Sequence, residues 1–121
     1  MQGSLVAVVD DDESIRESLP NLVGALGYVA RAFASAEEFL ASEVGEIGCL
    51  VVDVKMPGMS GPELRQELKR QGYDIPIIFI TAQKYEAVRR GLSGQDIVAY
   101  LTKPFSDKAL LEALNAAFHN K

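Results

Sequence analysis

The 121 residues contain one cysteine, one histidine and no tryptophan. A single thiol, Cys49, excludes an internal disulfide framework. A single imidazole, His119, excludes a His-based metal cluster and a Ser-His-Asp triad in any usual form. With one of each, the ligand set of a structural zinc site is missing. Basic residues are also few: 12 against 17 acidic, a formal net charge of −5. Such a chain is poorly suited to gripping nucleic acid or an anionic membrane directly. Long apolar runs are absent, so nothing in the sequence reads as a bilayer span. Asp10 to Glu13 interrupts the N-terminal apolar stretch, which removes a signal-peptide reading and makes a cytoplasmic location the expectation. The length suits one domain over residues 1–121.

What is present is an alternation of apolar runs and amphipathic patterns. Leu5–Val9 is unbroken and apolar, as a strand buried on both faces requires. Ile15, Leu19, Leu22, Val23 and Leu26 then form one helical stripe, closed by Gly27. Pro20 inside that stripe predicts a kink or a shifted start. Tyr28–Phe33 alternates, as an edge strand does. Ser35 with Glu38 has capping-box spacing for a short helix. Cys49–Val52 is the third run, and a turn-rich loop, Met56–Gly61, follows it. A helix over Pro62–Gln71 is expected next, then a strand over Ile75–Ile80 and a weak helix over Lys84–Leu92. Ile97–Leu101 reads as the fifth strand, and the last helix carries Leu110, Leu111, Leu114, Ala117 and Phe118, with Asp107 as its candidate cap. Five βα units with short connections predict an α/β fold: a doubly wound, parallel five-stranded sheet with helices on both faces.

In such a sheet ligands bind beyond the carboxyl ends of the strands. After the first strand stand Asp10, Asp11 and Asp12; at the end of the third, Asp53; after the fourth, Thr81; after the fifth, Lys103 and Pro104. Singly, each has an ordinary explanation: helix-capping carboxylates, a turn aspartate, a strand threonine, a solvated lysine. Together, carboxylates on one rim repel each other unless a cation is bound. Lys103 supplies one charge and a divalent ion the remainder. Hard oxygen ligands without His or Cys favour Mg²⁺ or Mn²⁺. A carboxylate nucleophile, a hydroxyl, a lysine and Mg²⁺ are the parts of a phosphoryl-transfer site working through an aspartyl phosphate.

The residues that carry this chemistry resemble, over essentially the whole chain, the receiver domains of two-component response regulators. Val8-Val9-Asp10-Asp11 is similar to the acidic pair after the first strand. Val51 through Gly61 is similar to the phosphoacceptor strand and loop. Ile80-Thr81-Ala82, Tyr100 and Leu101-Thr102-Lys103-Pro104-Phe105 complete the pattern in order. The resemblance implies strand order 2-1-3-4-5 and a cis Lys103–Pro104 bond. It implies that Asp53 accepts a phosphoryl group from a sensor histidine kinase, with Mg²⁺ (Mn²⁺ as substitute) held directly by Asp11, Asp53 and the Lys55 backbone carbonyl and by Asp10 mostly through water. Thr81, the Ala82 N–H and Lys103 would bind the phosphoryl oxygens. Thr81 and Tyr100 would form a switch reshaping the face made by the fourth helix, fifth strand and fifth helix, for homodimerisation or output control. The chain would then be a signalling phosphoprotein, not an enzyme beyond self-catalysed phosphorylation and dephosphorylation of Asp53. Ser35–Leu40 with the Met56–Gly61 loop resembles the nitrogen-fixation regulator subgroup, whose receivers usually precede a helix-turn-helix DNA-binding domain. That leaves two expectations open: a C-terminal output domain outside this chain, with a role in transcription regulation, or a stand-alone receiver.

One segment departs from the family pattern. Where receivers usually carry a small-residue turn such as Ala-Gly-Ala before the fifth strand, this chain has Ser93-Gly94-Gln95-Asp96-Ile97. Gly91 and Gly94 should weaken the fourth helix and leave it mobile or shortened. Three rival readings remain: a small Mg²⁺-dependent hydrolase of haloacid dehalogenase type using Asp10-x-Asp12, a receiver-shaped module that never takes phosphate, and a flavodoxin. The first leaves Asp53 without a role, the second is at odds with a complete site, and the third lacks a hydroxyl- and glycine-rich phosphate loop.

Overall fold

The computed structural model describes residues 5–82, 94 and 96–119. Five parallel strands, β1 (Leu5–Val9), β2 (Val29–Phe33), β3 (Cys49–Asp53), β4 (Ile77–Thr81) and β5 (Ile97–Thr102), form one sheet. Their order is β2-β1-β3-β4-β5, as the resemblance implies. Four helices are described: α1 (Glu13–Ala25), α2 (Ala36–Leu40), α3 (Gly61–Arg70) and α4 (Asp107–His119), with a single 3-10 turn at Val44–Glu46. The helix expected over 84–92, with its expected mobility or shortening, lies outside the described residues.

The sheet divides its side chains between two cores. Ala7, Val9, Leu50, Val52, Ile77 and Phe79 pack against α2 and α3. Val6, Val8, Cys49, Val51, Ile78 and Ile80 pack against α1 and α4. Both faces of β1, β3 and β4 are covered, which is why these strands read as continuous apolar runs. β2 is the edge and is largely exposed; Val29 is 62% accessible, and Phe33 alone of its residues is buried. Fully burying each large aliphatic or aromatic side chain contributes roughly 1.5–3 kcal/mol.

Local sequence signals explain most helix ends, with corrections. Pro20 lies inside α1 and neither ends the helix nor moves its start; its cost is one missing backbone donor. Gly27, just past α1, has φ +99°, the left-handed conformation that terminates helices. Ser35 caps α2 by accepting the Glu38 N–H, but Glu38 Oε1 accepts from Ala34 rather than closing the box on Ser35. The full capping box belongs to α3, between Ser60 and Glu63, with Pro62 in its first turn. The cap of α4 is Ser106, whose hydroxyl accepts the Ala109 N–H at 3.0 Å; the expected cap, Asp107, is the first helical residue. Tyr28 stacks on Phe118 and donates its hydroxyl to Asn115 Oδ1 at 2.8 Å, tying α4 to the entry of β2.

Candidate functional site

Strand pairing puts the chemistry at one level. Val9 of β1 is in register with Val52 of β3, so Asp10 stands beside Asp53. Asp53 is in register with Ile80 of β4, one residue before Thr81. Thr81 pairs with Thr102 of β5, one residue before Lys103. The Lys103 N–H donates to the Thr81 carbonyl at 2.8 Å, extending the β4–β5 ladder to the rim. The Lys103–Pro104 bond is cis.

The side chains meet accordingly. One carboxylate oxygen each from Asp10, Asp11 and Asp53 lies within 4.8 Å of the others. Asp10 is fully buried, Asp53 nearly so and Asp11 exposed. Lys103 Nζ donates to Asp10 Oδ2 at 3.1 Å and to Asp53 Oδ2 at 3.5 Å. Asp10 Oδ1 also accepts the Asp12 N–H at 2.9 Å, and its carbonyl accepts Arg16 Nη1 at 3.0 Å. Arg16 was not legible in the sequence as a support of this site; its signal is only a position one turn into the helix that follows the acidic run.

The acidic run divides by task. Asp12 caps α1, accepting the Ser14 N–H at 2.9 Å and the Ser14 hydroxyl at 2.8 Å, and these bonds hold its carboxyl below the ordinary value. Asp10 and Asp11 face the cluster. Burial and the adjacent Asp10 charge raise the Asp53 carboxyl above its ordinary value, against the pull of Lys103 and a hydrogen bond from the Lys55 N–H. Partial burial favours neutral Lys103, but its bond to Asp10 and the Asp10 and Asp53 charges outweigh this and raise it. Three carboxylates against one ammonium leave excess negative charge that a hard divalent cation fits, and Mg²⁺ typically needs only one or two carboxylates and keeps several waters.

Two supports of the loop after β3 come from the fold. Gly61, at the start of α3, packs on the Asp53–Val54 peptide: a Cβ there would stand 2.5 Å from the Asp53 carbonyl oxygen. Glu37 of α2 accepts the Met59 N–H at 3.2 Å. Gly58 between them has φ +76°. Met56 is buried in the α2/α3 core, so it anchors the loop. Ala82 lies exposed just past Thr81, itself 1% accessible.

Tyr100 is outside the carboxylate cluster. It is half-buried on the α2/α3 face and stacks on Phe79, ring centroids 5.8 Å apart at 21°. On the opposite face an apolar groove of about 580 Å³ between α1 and the segment after β5 opens beside Lys103. Ile15, Leu19, Leu22, Pro104 and Phe105 line it. Cys49 is buried in the α1/α4 core and His119 is exposed. Among the described residues no helix is long and apolar enough to cross a membrane.

Known proteins share this arrangement. The family model described as the response regulator receiver domain matches residues 6–115. Nodulation protein W of Bradyrhizobium diazoefficiens is 44% identical over 116 residues, covering 94% of this chain and 51% of that protein. The chain spans about half the length of the curated relatives it matches. The crystal structure of FixJ-N superposes with a TM-score of 0.84 at 36% identity, covering 100% of this chain and 98% of that one. The Thermotoga maritima response regulator TrrA, solved in complex with Mg²⁺-BeF, superposes with a TM-score of 0.81 at 30% identity, covering 97% and 99%.

Proposed function

The chain belongs to the response regulator receiver domain family, with an acidic pocket of Asp10, Asp11 and Asp53 for phosphoacceptance, and from that premise we propose residue roles and partners. Residues 1–121 are read as one receiver domain, of which the family match spans 6–115. Asp53 is the phosphoacceptor: its carboxylate oxygen forms an O–P bond as the P–N bond of a kinase phosphohistidine breaks, the electron pair staying on the imidazole nitrogen. The single observation that carries this reading is the contact of Lys103 Nζ with both Asp10 and Asp53 inside a triad of carboxylate oxygens.

Asp10, Asp11, Asp53 and the Lys55 carbonyl are the proposed Mg²⁺ ligands. When bound, the ion would offset the negative charge on the transferring group and the carboxylates. Lys103 orients the Asp53 carboxylate and meets the phosphoryl oxygens, with the Thr81 hydroxyl and the Ala82 N–H as further donors. Thr81 and Tyr100 are the proposed switch pair, biased by the charge gained at Asp53.

A sensor histidine kinase is the proposed donor; the apolar groove beside Lys103 offers such a protein a surface next to the site. Homodimerisation on phosphorylation and control of a DNA-binding output domain are proposed on the likeness to longer regulators such as nodulation protein W. Turnover of the phosphoryl group at Asp53 is the proposed extent of its catalysis, and the cytoplasm its proposed location. The hydrolase reading is set aside, since the receiver model spans the chain and Asp53 sits within the acidic pocket.

Intact mass after incubation with acetyl phosphate and Mg²⁺ tests the reading. One added phosphoryl group is expected in the wild type and none in Asp53→Asn or in chelator. A label that survives Asp53→Asn overturns it.

A further inference from the structure

Asp96, in the segment that departs from the family's usual small-residue turn, is tied to α3. Arg65 donates Nε to Asp96 Oδ2 at 2.7 Å and Nη2 to Oδ1 at 2.9 Å, a two-pronged pair. Both side chains are largely withdrawn from water, 10% and 6% accessible. Lys69, one turn further along α3, reaches the same carboxylate at 3.5 Å but is 53% accessible. The Asp96 carbonyl accepts the Ile77 N–H at 2.6 Å, so main chain and side chain are both anchored. Gly94 fits against the pair: its φ is +145°, and a Cβ there would stand 2.6 Å from Asp96 Oδ1 and collide with the Arg65 guanidinium.

Directly after this anchor the strand register slips. Ile77 pairs with Ile97, but Ile78 pairs with Ala99, leaving Val98 as an extra residue in β5. Val98 and Ala99 consequently both pack against the α1/α4 core, while Ile97 and Tyr100 pack against the α2/α3 core. Simple alternation from Ile97 would send Tyr100 to the opposite face, because side chains alternate with period two and an extra residue reverses the facing. The slip therefore puts Tyr100 on Phe79, with α3 on the same side.

We propose that Arg65 and Asp96 are positioning residues: they clamp the entry of β5 to α3, hold the slipped register, and so set where the Tyr100 ring rests before any phosphoryl group arrives. The clamp joins two elements that the phosphoacceptor site also joins. α3 begins on the Asp53–Val54 peptide through Gly61, and β5 runs directly into Lys103, which contacts Asp53. A change at the acidic pocket thus acts on a strand pinned at both ends, with Tyr100 between the pins. A two-pronged guanidinium–carboxylate pair suits this task because its planar fork fixes direction as well as distance. The switch role of Tyr100 rests on the receiver reading; its placement by the clamp does not.

The test is ¹⁹F NMR of the full chain labelled with 3-fluorotyrosine, with Tyr100→Phe assigning the resonance. The main variant is Arg65→Leu with Asp96→Ala, which removes both charges and strands neither. Arg65→Lys keeps the charge and loses the fork. Spectra are taken without ligand and with Mg²⁺ plus beryllofluoride. The double variant is expected to fold by circular dichroism, to show a displaced or split Tyr100 resonance without ligand, and to lose most of the ligand-induced shift. Arg65→Lys is expected to do the same in milder form, and decides the matter if the double variant does not fold. An unchanged Tyr100 resonance with the full ligand shift in the folded variants overturns the proposal and reduces the pair to a stabilising contact. If wild-type Asp53 takes no phosphoryl group and its Tyr100 ignores the ligand, the receiver reading fails, while the ligand-free spectra still judge the clamp.

Discussion

The carboxylate of Glu37 accepts the backbone N–H of Met59 at 3.2 Å, joining the first turn of α2 to the loop that follows β3. The two residues are 22 positions apart, and the bond spans two elements on the same face of the sheet. It holds the loop whose first residues carry the Lys55 N–H bound to Asp53. Glu37→Ala should cost about 0.5–1.5 kcal/mol, the net worth of an exposed hydrogen bond. Amide exchange at Met59 should quicken, and acetyl phosphate should label Asp53 more slowly. Unchanged exchange at Met59 would show that other contacts hold the loop.

Gly61 and Gly24 make a contrasting pair. A Cβ at Gly61 would meet the Asp53 carbonyl oxygen at 2.5 Å, Phe79 at 3.1 Å and the Val54 Cα at 3.2 Å. Gly61→Ala should therefore destabilise by about 1–3 kcal/mol, the usual range for overpacking, and displace the Asp53–Val54 peptide. Gly24 lies within α1, and a methyl group on its Cα would find nothing within 4 Å. Gly24→Ala should stabilise by about 0.5–1 kcal/mol through helix propensity. Urea unfolding of both variants checks the opposite signs.

The Arg65–Asp96 pair carries a pH dependence. Burial favours neutral Asp96, but the hydrogen bond and charge of Arg65, aided by Lys69, outweigh it, and the carboxyl lies below its ordinary value. A folded-state value below the unfolded one contributes stability that is full above the unfolded value and is lost as pH falls through the folded one. Asp96→Asn should cost about 1–3 kcal/mol at pH 7, the cost of leaving a partly buried hydrogen-bonding partner unsatisfied. The gap between wild type and variant should close in acid, below about pH 3.9. A gap that stays constant from pH 7 to pH 3 would remove the ion pair as its cause.

Asp53 behaves in the opposite sense when divalent ions are chelated. Its raised carboxyl favours the neutral form in the fold, so its contribution is present below the unfolded value and lost as pH rises. Asp53→Asn should be more stable than wild type at pH 7 in chelator, with the difference vanishing in acid. Adding Mg²⁺ should reverse the ranking, since a ligand at a hundred times its Kd stabilises by about 2.7 kcal/mol. Melting curves of both proteins, with and without Mg²⁺ across pH, read all of these signs.

Residue order alone disclosed the strand-end chemistry of this protein. Continuous apolar runs identify buried parallel strands, and a polar residue that stops such a run lies at the sheet's carboxyl edge. Asp10, Asp53, Thr81 and Lys103 were legible for that reason, as was the left-handed Gly27 after α1. Side-chain chemistry alone did not tell Asp12 from Asp10 and Asp11, because a helix cap and a metal ligand ask for the same carboxylate; the family resemblance singled out Asp10 and Asp11, and the bonds of Asp12 to Ser14 show it to be the cap. Nor did any local pattern mark the extra residue in β5, since Val98 and Ala99 are both apolar and suit either face. Nothing in the sequence marked Arg65 and Asp96 as partners; the fold brings them together from 31 positions apart. Short-range periodicity follows from backbone geometry and is written in consecutive residues. The partners of Arg65 and Glu37, and the face on which Tyr100 rests, follow from how strands and helices pack, which the tertiary structure alone decides.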